Sequence, residues 1–205
     1  MVAGFWLTVT ELVIQRMVAE KEKIEREGFT EEIALHAGIT AGFASGRLTL
    51  KGSKGEAGRN ISEPGITVRV EDSKVIISSL KGNKTEKKIV GSLRAHVVNL
   101  LKGVTDGHVY RLKVCYTHFP INVSVAGRKL IVKNLLGEKI PRVLELAENV
   151  KVKVEGAEVF VESPSKEAAG LVAGSIERLT KRSSYDTRVF ADGIYITHKD
   201  GREMK

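Results

Sequence analysis

Residues 36–56 read HAGITAGFASGRLTLKGSKGE, and residues 118–138 read HFPINVSVAGRKLIVKNLLGE in the same register without a gap. Seven of the 21 positions are identical, at an offset of 82 residues. The register continues at an offset of 84, where residues 65–79 match residues 149–163 in the spacing of their apolar side chains. A repeat of roughly 80 residues is too long for a solenoid unit. The sequence therefore predicts two tandem copies of one small domain, each burying its own core.

Each copy is predicted to consist of alternating strands followed by one helix. Apolar and polar side chains alternate along four strands in each copy, and tight turns join these strands in pairs. The turns are assigned to Ser45-Gly46, Glu71-Asp72, Gly127 and Glu155-Gly156. The sequence thus predicts an α+β fold of two tandem duplicated domains, each an antiparallel-rich sheet packed with one main helix.

The helix of the first copy is predicted to use Thr85 as its N-terminal cap and to bury one apolar stripe, formed by Ile89, Leu93, Val97 and Leu100. The helix of the second copy is predicted from about Ser165 to Arg182. It is rich in alanine and glycine, which would let its backbone lie close to the sheet.

The predicted domain boundaries follow the repeat: 36–104 for the first copy, 105–185 for the second and 186–205 for a C-terminal tail. Residues 1–35 are interpreted as a helical or partly disordered extension, because apolar residues recur at helical spacing before the charged run EKEKIEREG. Gly28 is expected to end it. Two origins stay open for this extension: a lineage-specific arm that packs on a neighbour, or an upstream start with Met17 as the alternative initiator.

Composition and charge narrow the class of protein. The 205 residues are 42% hydrophobic and 28% charged, as in soluble globular proteins, and no stretch is apolar enough for a membrane span. The single cysteine, Cys115, excludes an internal disulfide framework and a cysteine metal cluster. The net charge is +8, but residues 1–35 hold four basic and seven acidic residues, which leaves 29 basic and 18 acidic in the rest. The basic residues cluster at turns and helix ends, a pattern typical of surfaces that face phosphates. The alternative is that they are solvated surface lysines that bind no ligand.

Catalytic and cofactor motifs are absent from the sequence. Five histidines are scattered without metal-ligand spacing, and the equivalent positions of His36 and His118 in the two copies indicate a role in the fold. KGSKGE at 51–56 lacks the Gly-Lys-Ser/Thr ending of a phosphate-binding loop, and no Gly-x-Ser-x-Gly elbow occurs. We therefore expect no enzyme, no cofactor, no metal and no small-molecule substrate.

Three blocks carry a resemblance to a known family: KGSKGE at 51–56, YTHFPINV with NLLGEKIPR at 116–123 and 134–142, and TKRSSYDTRVFADGIYI at 180–196. Across roughly residues 31–203 the chain resembles the archaeal and eukaryotic branch of the large-subunit ribosomal protein L6 family. The last block is the most specific, because it has no obvious generic structural cause. The family's duplicated α+β fold agrees with the repeat found above.

The resemblance implies a structural protein of the large ribosomal subunit in the cytoplasm. Its partners would be large-subunit ribosomal RNA, near the sarcin-ricin loop and the translation-factor site, and neighbouring ribosomal proteins. It implies these RNA-binding residues: Lys139, Arg142, Arg178, Lys181, Arg182, Tyr185 and Arg188, with Lys51 and Lys54 in second rank. Ser53 stands where the family typically has proline, and Ala191 where glutamine is common.

Two alternatives remain open from the sequence. One is a free-standing protein-interaction module that keeps the duplicated fold, and the other, weaker, is a small hydrolase with a site between the copies. Steep salt dependence of RNA binding would distinguish the RNA-binding reading from the first alternative.

Overall fold

The computed structural model describes residues 28–204 except 37, 72, 183, 184 and 187, so most of the predicted extension, residues 1–27, lies outside the described residues. The strands are β1 (Thr30–Ala34), β2 (Thr40–Ala44), β3 (Arg47–Gly52), β4 (Gly55–Asn60), β5 (Ile66–Glu71), β6 (Lys74–Ser79), β7 (His108–Cys115), β8 (Asn122–Ala126), β9 (Lys129–Lys133), β10 (Arg142–Glu145), β11 (Lys151–Glu155), β12 (Glu158–Ser163), β13 (Gly193–Lys199) and β14 (Arg202–Glu203). The helices are α1 (Lys84–Thr105) and α2 (Lys166–Thr180), with a 3-10 turn at Leu135–Gly137.

Four sheets are formed by these strands. Three of them have three strands each, in the orders β1-β6-β5, β2-β3-β4 and β10-β9-β8, and the fourth has five strands in the order β11-β12-β7-β13-β14. The pairings within the β1-β6-β5, β10-β9-β8 and five-stranded sheets are all antiparallel. This confirms the predicted α+β class, with one main helix for each copy.

Two compact units divide the described chain: residues 28–36, 41–48 and 59–98 in the first, and 38–40, 49–58 and 99–204 in the second. This division follows spatial contacts and differs from the repeat, so the boundaries 36–104 and 105–185 stay predictions. The core of the second unit joins the inner faces of its sheets to α2, with Leu112, Val161 and Ile176 fully buried.

The turns between paired strands fall close to their predicted places. Ser45 and Gly46 both adopt positive φ, of 51° and 75°, and join β2 to β3 as predicted. Glu155 is still paired with Glu158 in the ladder, so the last turn lies one residue further on, at Gly156 and Ala157. Asp72 lies outside the described residues.

Helix α1 begins one residue before the predicted cap. Thr85 is the second residue of α1, and the first helical hydrogen bond runs from the Lys87 N–H to the Asn83 carbonyl. Its buried stripe consists of Val90, Leu93, Val97, Leu101 and Val104. Two predicted members, Ile89 and Leu100, are only half-buried, because the stripe follows the 3.6-residue period from Val90 rather than from Ile89.

Strands form in two segments that were predicted to lie outside the two domains. Residues 30–34 were predicted to belong to the extension, but they form β1, which pairs with β6 and buries Ile33. The Thr-Glu-Glu-Ile-Ala segment is too short to show its alternation clearly. The predicted C-terminal tail, 186–205, contributes β13, which pairs with β7 and buries Ile194 completely. Residues 193–199 are therefore part of the second unit's sheet.

The KGSKGE turn caps the C-terminal end of α1. The Lys54 N–H donates to the Val104 carbonyl at 3.1 Å, and the Ser53 hydroxyl donates to the Thr105 carbonyl at 3.2 Å. Gly52 has no positive φ, but a Cβ there would lie 2.7 Å from the Val104 oxygen. Gly52 is thus required for close approach, and the Ser53 hydroxyl satisfies helix carbonyls that would otherwise lack a partner.

An ionic cluster that includes the buried His108 fixes the β13–β14 turn. Asp200 accepts from Lys102 Nζ at 3.0 Å, and its second oxygen lies 3.0 Å from Nδ1 of the fully buried His108. Burial would raise the pKa of Asp200, but hydrogen bonds from His108 and Lys102 outweigh burial and lower it. The other ring nitrogen of His108 lies 2.9 Å from the Asn99 carbonyl.

Two glycines of α1 provide a matched stability test. A Cβ at Gly103 would overlap the Pro164 carbonyl oxygen and lie 3.0 Å from the His108 ring, whereas a Cβ at Gly91 would meet nothing within 4 Å. We expect Gly103→Ala to lower the free energy of unfolding by about 1–3 kcal/mol. Gly91→Ala should leave it unchanged or raise it by up to about 1 kcal/mol, because alanine favours the helix.

Urea denaturation of both variants measures this difference. Equal effects of the two substitutions would contradict the close packing assigned to Gly103.

Candidate nucleic-acid interface

The C-terminal end of α2 is positioned by close packing of the helix on the sheet. Ser165 caps the helix by accepting a hydrogen bond from the Ala168 N–H, and Ala169 and Ala173 are fully buried. A Cβ at Gly170 would lie 3.3 Å from the Tyr110 hydroxyl of β7. The predicted role of the small residues is confirmed at these positions, and the last turn of α2 is held in a defined place.

Thr180 joins this last turn to β13. Its hydroxyl accepts from the buried Ile194 N–H at 3.0 Å and donates to the Glu177 carbonyl at 3.1 Å. The chain leaves the helix at Lys181, whose φ and ψ of −65° and 134° are extended. The basic residues at the helix end are therefore carried on a fixed backbone.

The carboxylate of Asp192 anchors the loop between β7 and β8. It accepts from the Thr117 N–H at 2.9 Å and from the Thr117 hydroxyl at 2.8 Å, and His118 Nδ1 lies 3.4 Å away. The Asp192 side chain has no exposed surface. Burial would raise its pKa, but the hydrogen bonds from Thr117 and His118 outweigh burial and hold the pKa below its ordinary value.

A series of ring contacts continues from this anchor. His118 stacks on Phe190 with ring centroids 4.9 Å apart, and Tyr185 meets Phe190 edge-on at 5.1 Å. The guanidinium of Arg182 lies over the Tyr185 ring, 4.6 Å from its centroid. These contacts hold the segment after α2 against the loop that precedes β8.

Arg142 closes the end of α2 from the other side. Its guanidinium donates twice to Glu138, at 2.9 and 2.7 Å, and a third time to the Leu179 carbonyl at the helix end. Arg182 also lies 3.5 Å from Glu138. Hydrogen bonding to Arg142 lowers the pKa of Glu138, against the opposing effect of burial, and the charges of both arginines add to this. Glu138 is thereby kept ionised between two cations.

The elements described above enclose a cleft of about 770 Å³ in the second unit. We call it the helix-end cleft. Its lining combines cationic, aromatic and acidic side chains with small residues: Leu136, Gly174, Glu177, Arg178, Thr180, Lys181, Arg182, Tyr185, Phe190, Asp192 and Tyr195. Arg178 and Lys181 are exposed, and neither forms an ion pair with a described residue. Two cations with free charge therefore face the solvent at this cleft.

The structure brings together four of the residues predicted to bind RNA. Arg178, Lys181, Arg182 and Tyr185 all line the helix-end cleft. Arg142 lies behind it, where three of its N–H groups donate to Glu138 and to the Leu179 carbonyl.

The remaining four predicted residues do not line the cleft. Lys139 and Arg188 are exposed side chains outside its lining. Lys51 and Lys54 lie at the β3–β4 turn, where Lys51 pairs with Glu56 at 3.1 Å.

Sequence reasoning missed several residues that shape this cleft. Asp192, Thr117 and Tyr195 were not predicted as site residues, although they lie within the YTHFPINV and ADGIYI blocks. Thr117 and Asp192 are 75 positions apart in the sequence, so no local sequence pattern indicates that the Asp192 carboxylate joins the two blocks. The one sequence signal for these residues was that ADGIYI, at the end of the block 180–196, has no generic structural cause. The hydrogen bonds of Asp192 to Thr117 supply such a cause.

The described residues offer neither a metal-binding cluster nor a membrane-spanning helix. No group of three or more His, Cys, Asp or Glu side chains within the described ranges could hold a metal ion. Among the helices that the structure describes, none is long and apolar enough to cross a membrane.

Fold and cleft together define a duplicated α+β protein with a cationic recess at a helix end. Comparison with known proteins agrees with this class. The model of the family described as ribosomal protein L6 matches residues 37–107 and 119–193, one segment for each copy. The chain therefore belongs to the ribosomal protein L6 family, as the resemblance predicted, and it is a structural protein rather than an enzyme.

Similar proteins from archaea cover most of the chain. The large ribosomal subunit protein uL6 of Nanoarchaeum equitans (strain Kin4-M) is 41% identical over 181 residues, which is 84% of this chain and 94% of that protein. The protein of the same name from Methanococcus vannielii is 38% identical over 174 residues, covering 85% and 96%. That of Natronomonas pharaonis is 41% identical over 171 residues, covering 83% and 97%.

The Asp192 anchor predicts a pH-dependent loss of stability. We expect Asp192→Asn to lower the free energy of unfolding by about 1–3 kcal/mol near neutral pH, because the Thr117 and His118 donors lose the buried, ionised carboxylate as their acceptor. The folded-state pKa of Asp192 is lowered, so its contribution is complete above its ordinary value of 3.8 and is lost as pH falls through the folded-state value. The difference between wild type and variant should therefore narrow as pH falls below 3.8.

Urea denaturation between pH 3 and pH 7 measures this difference. Glu148→Gln is the matched control, because Glu148 is an exposed carboxylate whose one ion pair among the described residues is with Arg128. This substitution should cost less than about 1 kcal/mol. A stability gap for Asp192→Asn that stays constant with pH would contradict the assigned ionised carboxylate.

Proposed function

We propose that this chain is a structural constituent of the large ribosomal subunit in the cytoplasm and that its helix-end cleft faces large-subunit ribosomal RNA. The coarse role follows from family membership and from relatives named as large ribosomal subunit proteins over more than four fifths of the chain. The finer proposal places the contact near the sarcin-ricin loop and the translation-factor site, with neighbouring large-subunit proteins as further partners. The convergence of unpaired cations at the cleft supports it.

Electrostatics favours an RNA backbone as the ligand of this surface. Arg178 and Lys181 are exposed and without a carboxylate partner among the described residues, so they keep their charge for an outside ligand. Double-stranded RNA is recognised mainly through its phosphates and 2′-hydroxyl groups, which cationic side chains on a rigid frame can contact. Lys139 and Arg188 are proposed as further phosphate contacts.

Three predicted residues are proposed with different roles. Arg142 uses its guanidinium within the chain, so we propose that it supports the cleft by holding the end of α2. Lys51 and Lys54 belong to a turn that caps α1, so we propose them as secondary contacts separate from the cleft. Tyr185 is held by Arg182 and Phe190, and we propose that it gives the cleft wall a rigid face.

Salt dependence of RNA binding tests this function. We expect Arg178→Ala and Lys181→Ala each to weaken binding to large-subunit ribosomal RNA and to reduce the slope of log affinity against log salt by about 0.7–0.9, one phosphate contact each. Both side chains are exposed, so thermal stability should change little.

Arg128→Ala is the matched control, because it removes an exposed cation that is already paired with Glu148 at 2.7 Å and does not line the cleft. Wild-type binding that hardly changes with salt would contradict an RNA contact and favour a protein-interaction module. If the Arg178→Ala and Lys181→Ala variants keep wild-type affinity and the wild-type slope of log affinity against log salt, the cleft is not part of the RNA interface.

A further inference from the structure

The helix-end cleft is a recess, whereas contacts to duplex phosphates need only exposed cations. Its volume of about 770 Å³ exceeds what one side chain fills and lies in the range of pockets that enclose a small ligand. Within an RNA, the group of that size that can leave the helix is a single unpaired nucleotide. Unpaired bases are recognised by stacking on aromatic rings and by hydrogen bonds to their Watson–Crick edges.

Tyr195 offers a ring for such stacking. It lines the cleft and keeps 39% of its surface exposed, and its ring lies over Gly193, where a Cβ would come within 3.3 Å. The other aromatic residues of the cleft already have ring or cation contacts, because Arg182 lies over the Tyr185 ring and Phe190 stacks on His118. Tyr195 is therefore the ring left available to a ligand.

The acidic residues near the cleft differ in whether they can accept another hydrogen bond. Asp192 is occupied by donors from Thr117 and His118, and Glu138 by two arginines. Glu177 lines the cleft beside Arg178, and its carboxylate forms no ion pair with any residue that the structure describes. It lies close enough to Tyr195 to contribute, after burial, Cys115 and Asp192, to the raised pKa of that phenol.

An unpaired carboxylate at a surface that binds phosphates repels its ligand unless it receives hydrogen bonds from it. A carboxylate accepts two parallel N–H bonds best, as it does from arginine. Among the four RNA bases, only guanine presents two adjacent N–H donors on its Watson–Crick edge, whereas adenine and cytosine present one amino group and uracil a single imide N–H.

We propose, on the basis of the proposed function, that the helix-end cleft binds one unpaired guanine nucleotide of its RNA. The base stacks on Tyr195, its N1–H and N2–H donate to the Glu177 carboxylate, and Arg178 and Lys181 contact the flanking phosphates. The cleft would then read one base in addition to the shape of the duplex.

Three end-labelled RNA hairpins test this proposal by fluorescence anisotropy with the full chain at low salt. They are identical except that one is fully paired, one has a single bulged guanine and one a single bulged adenine. We expect the bulged guanine to bind about tenfold more tightly than the paired hairpin, within the range that one stacked base contributes. The bulged adenine should fall between the two.

Three variants at two cleft residues separate the stacking from the hydrogen bonds. Tyr195→Ala should abolish the advantage of both bulges, while Tyr195→Phe keeps it. Glu177→Gln should abolish only the preference for guanine over adenine, because an amide presents one acceptor and one donor. Tyr116→Ala removes an exposed tyrosine outside the cleft and should change nothing.

The wild-type comparison alone decides the proposal. If all three hairpins bind with equal affinity and steep salt dependence, base recognition is refuted and the proposed RNA-binding function stands. If none of them binds at low salt and large-subunit ribosomal RNA does not bind either, the proposed function fails as well.

Discussion

The hydrogen bonds between the Asp192 carboxylate and Thr117 are the interaction on which the cleft geometry depends. They join the loop before β8 to the segment before β13, two parts of the chain 75 positions apart. An ionised carboxylate without exposed surface is costly unless its oxygens are hydrogen-bonded, so these hydrogen bonds favour the observed arrangement of the loop. His118 is held by the same carboxylate and carries the ring series through Phe190 to Tyr185. The cleft wall is therefore pre-organised before any ligand arrives.

Cations around the end of α2 divide into two kinds with different consequences. Arg142 is half-buried and directs its donors to Glu138 and the Leu179 carbonyl, so its charge is used to hold the helix end. Arg178 and Lys181 project from the same helix end into solvent without a carboxylate partner among the described residues. A count of basic residues does not distinguish cations that are bound within the chain from cations that are free to contact phosphates. The structure distinguishes them, because a cation that donates to an internal acceptor is no longer available to phosphates.

Much of the fold was predictable from the sequence, because the repeat, the strand alternation and the glycine turns are all local patterns. The class, the two helices and the turn at Ser45 and Gly46 were confirmed. The β1 strand and the place of β13 were not predicted, since each depends on a partner strand far away in sequence. Within the site, the cluster at the end of α2 was predicted by resemblance. The Asp192 anchor and Tyr195 were missed, because long-range hydrogen bonds and open ring faces leave no periodic signal.

Ultraviolet cross-linking of this chain within large ribosomal subunits, followed by mapping of the cross-linked peptides, tests whether the surface organised by Asp192 faces RNA. We expect RNA cross-links in peptides from the end of α2 to β13, with Tyr185 and Tyr195 among the modified residues. Cross-links confined to other peptides, with none between residues 174 and 195, would contradict it.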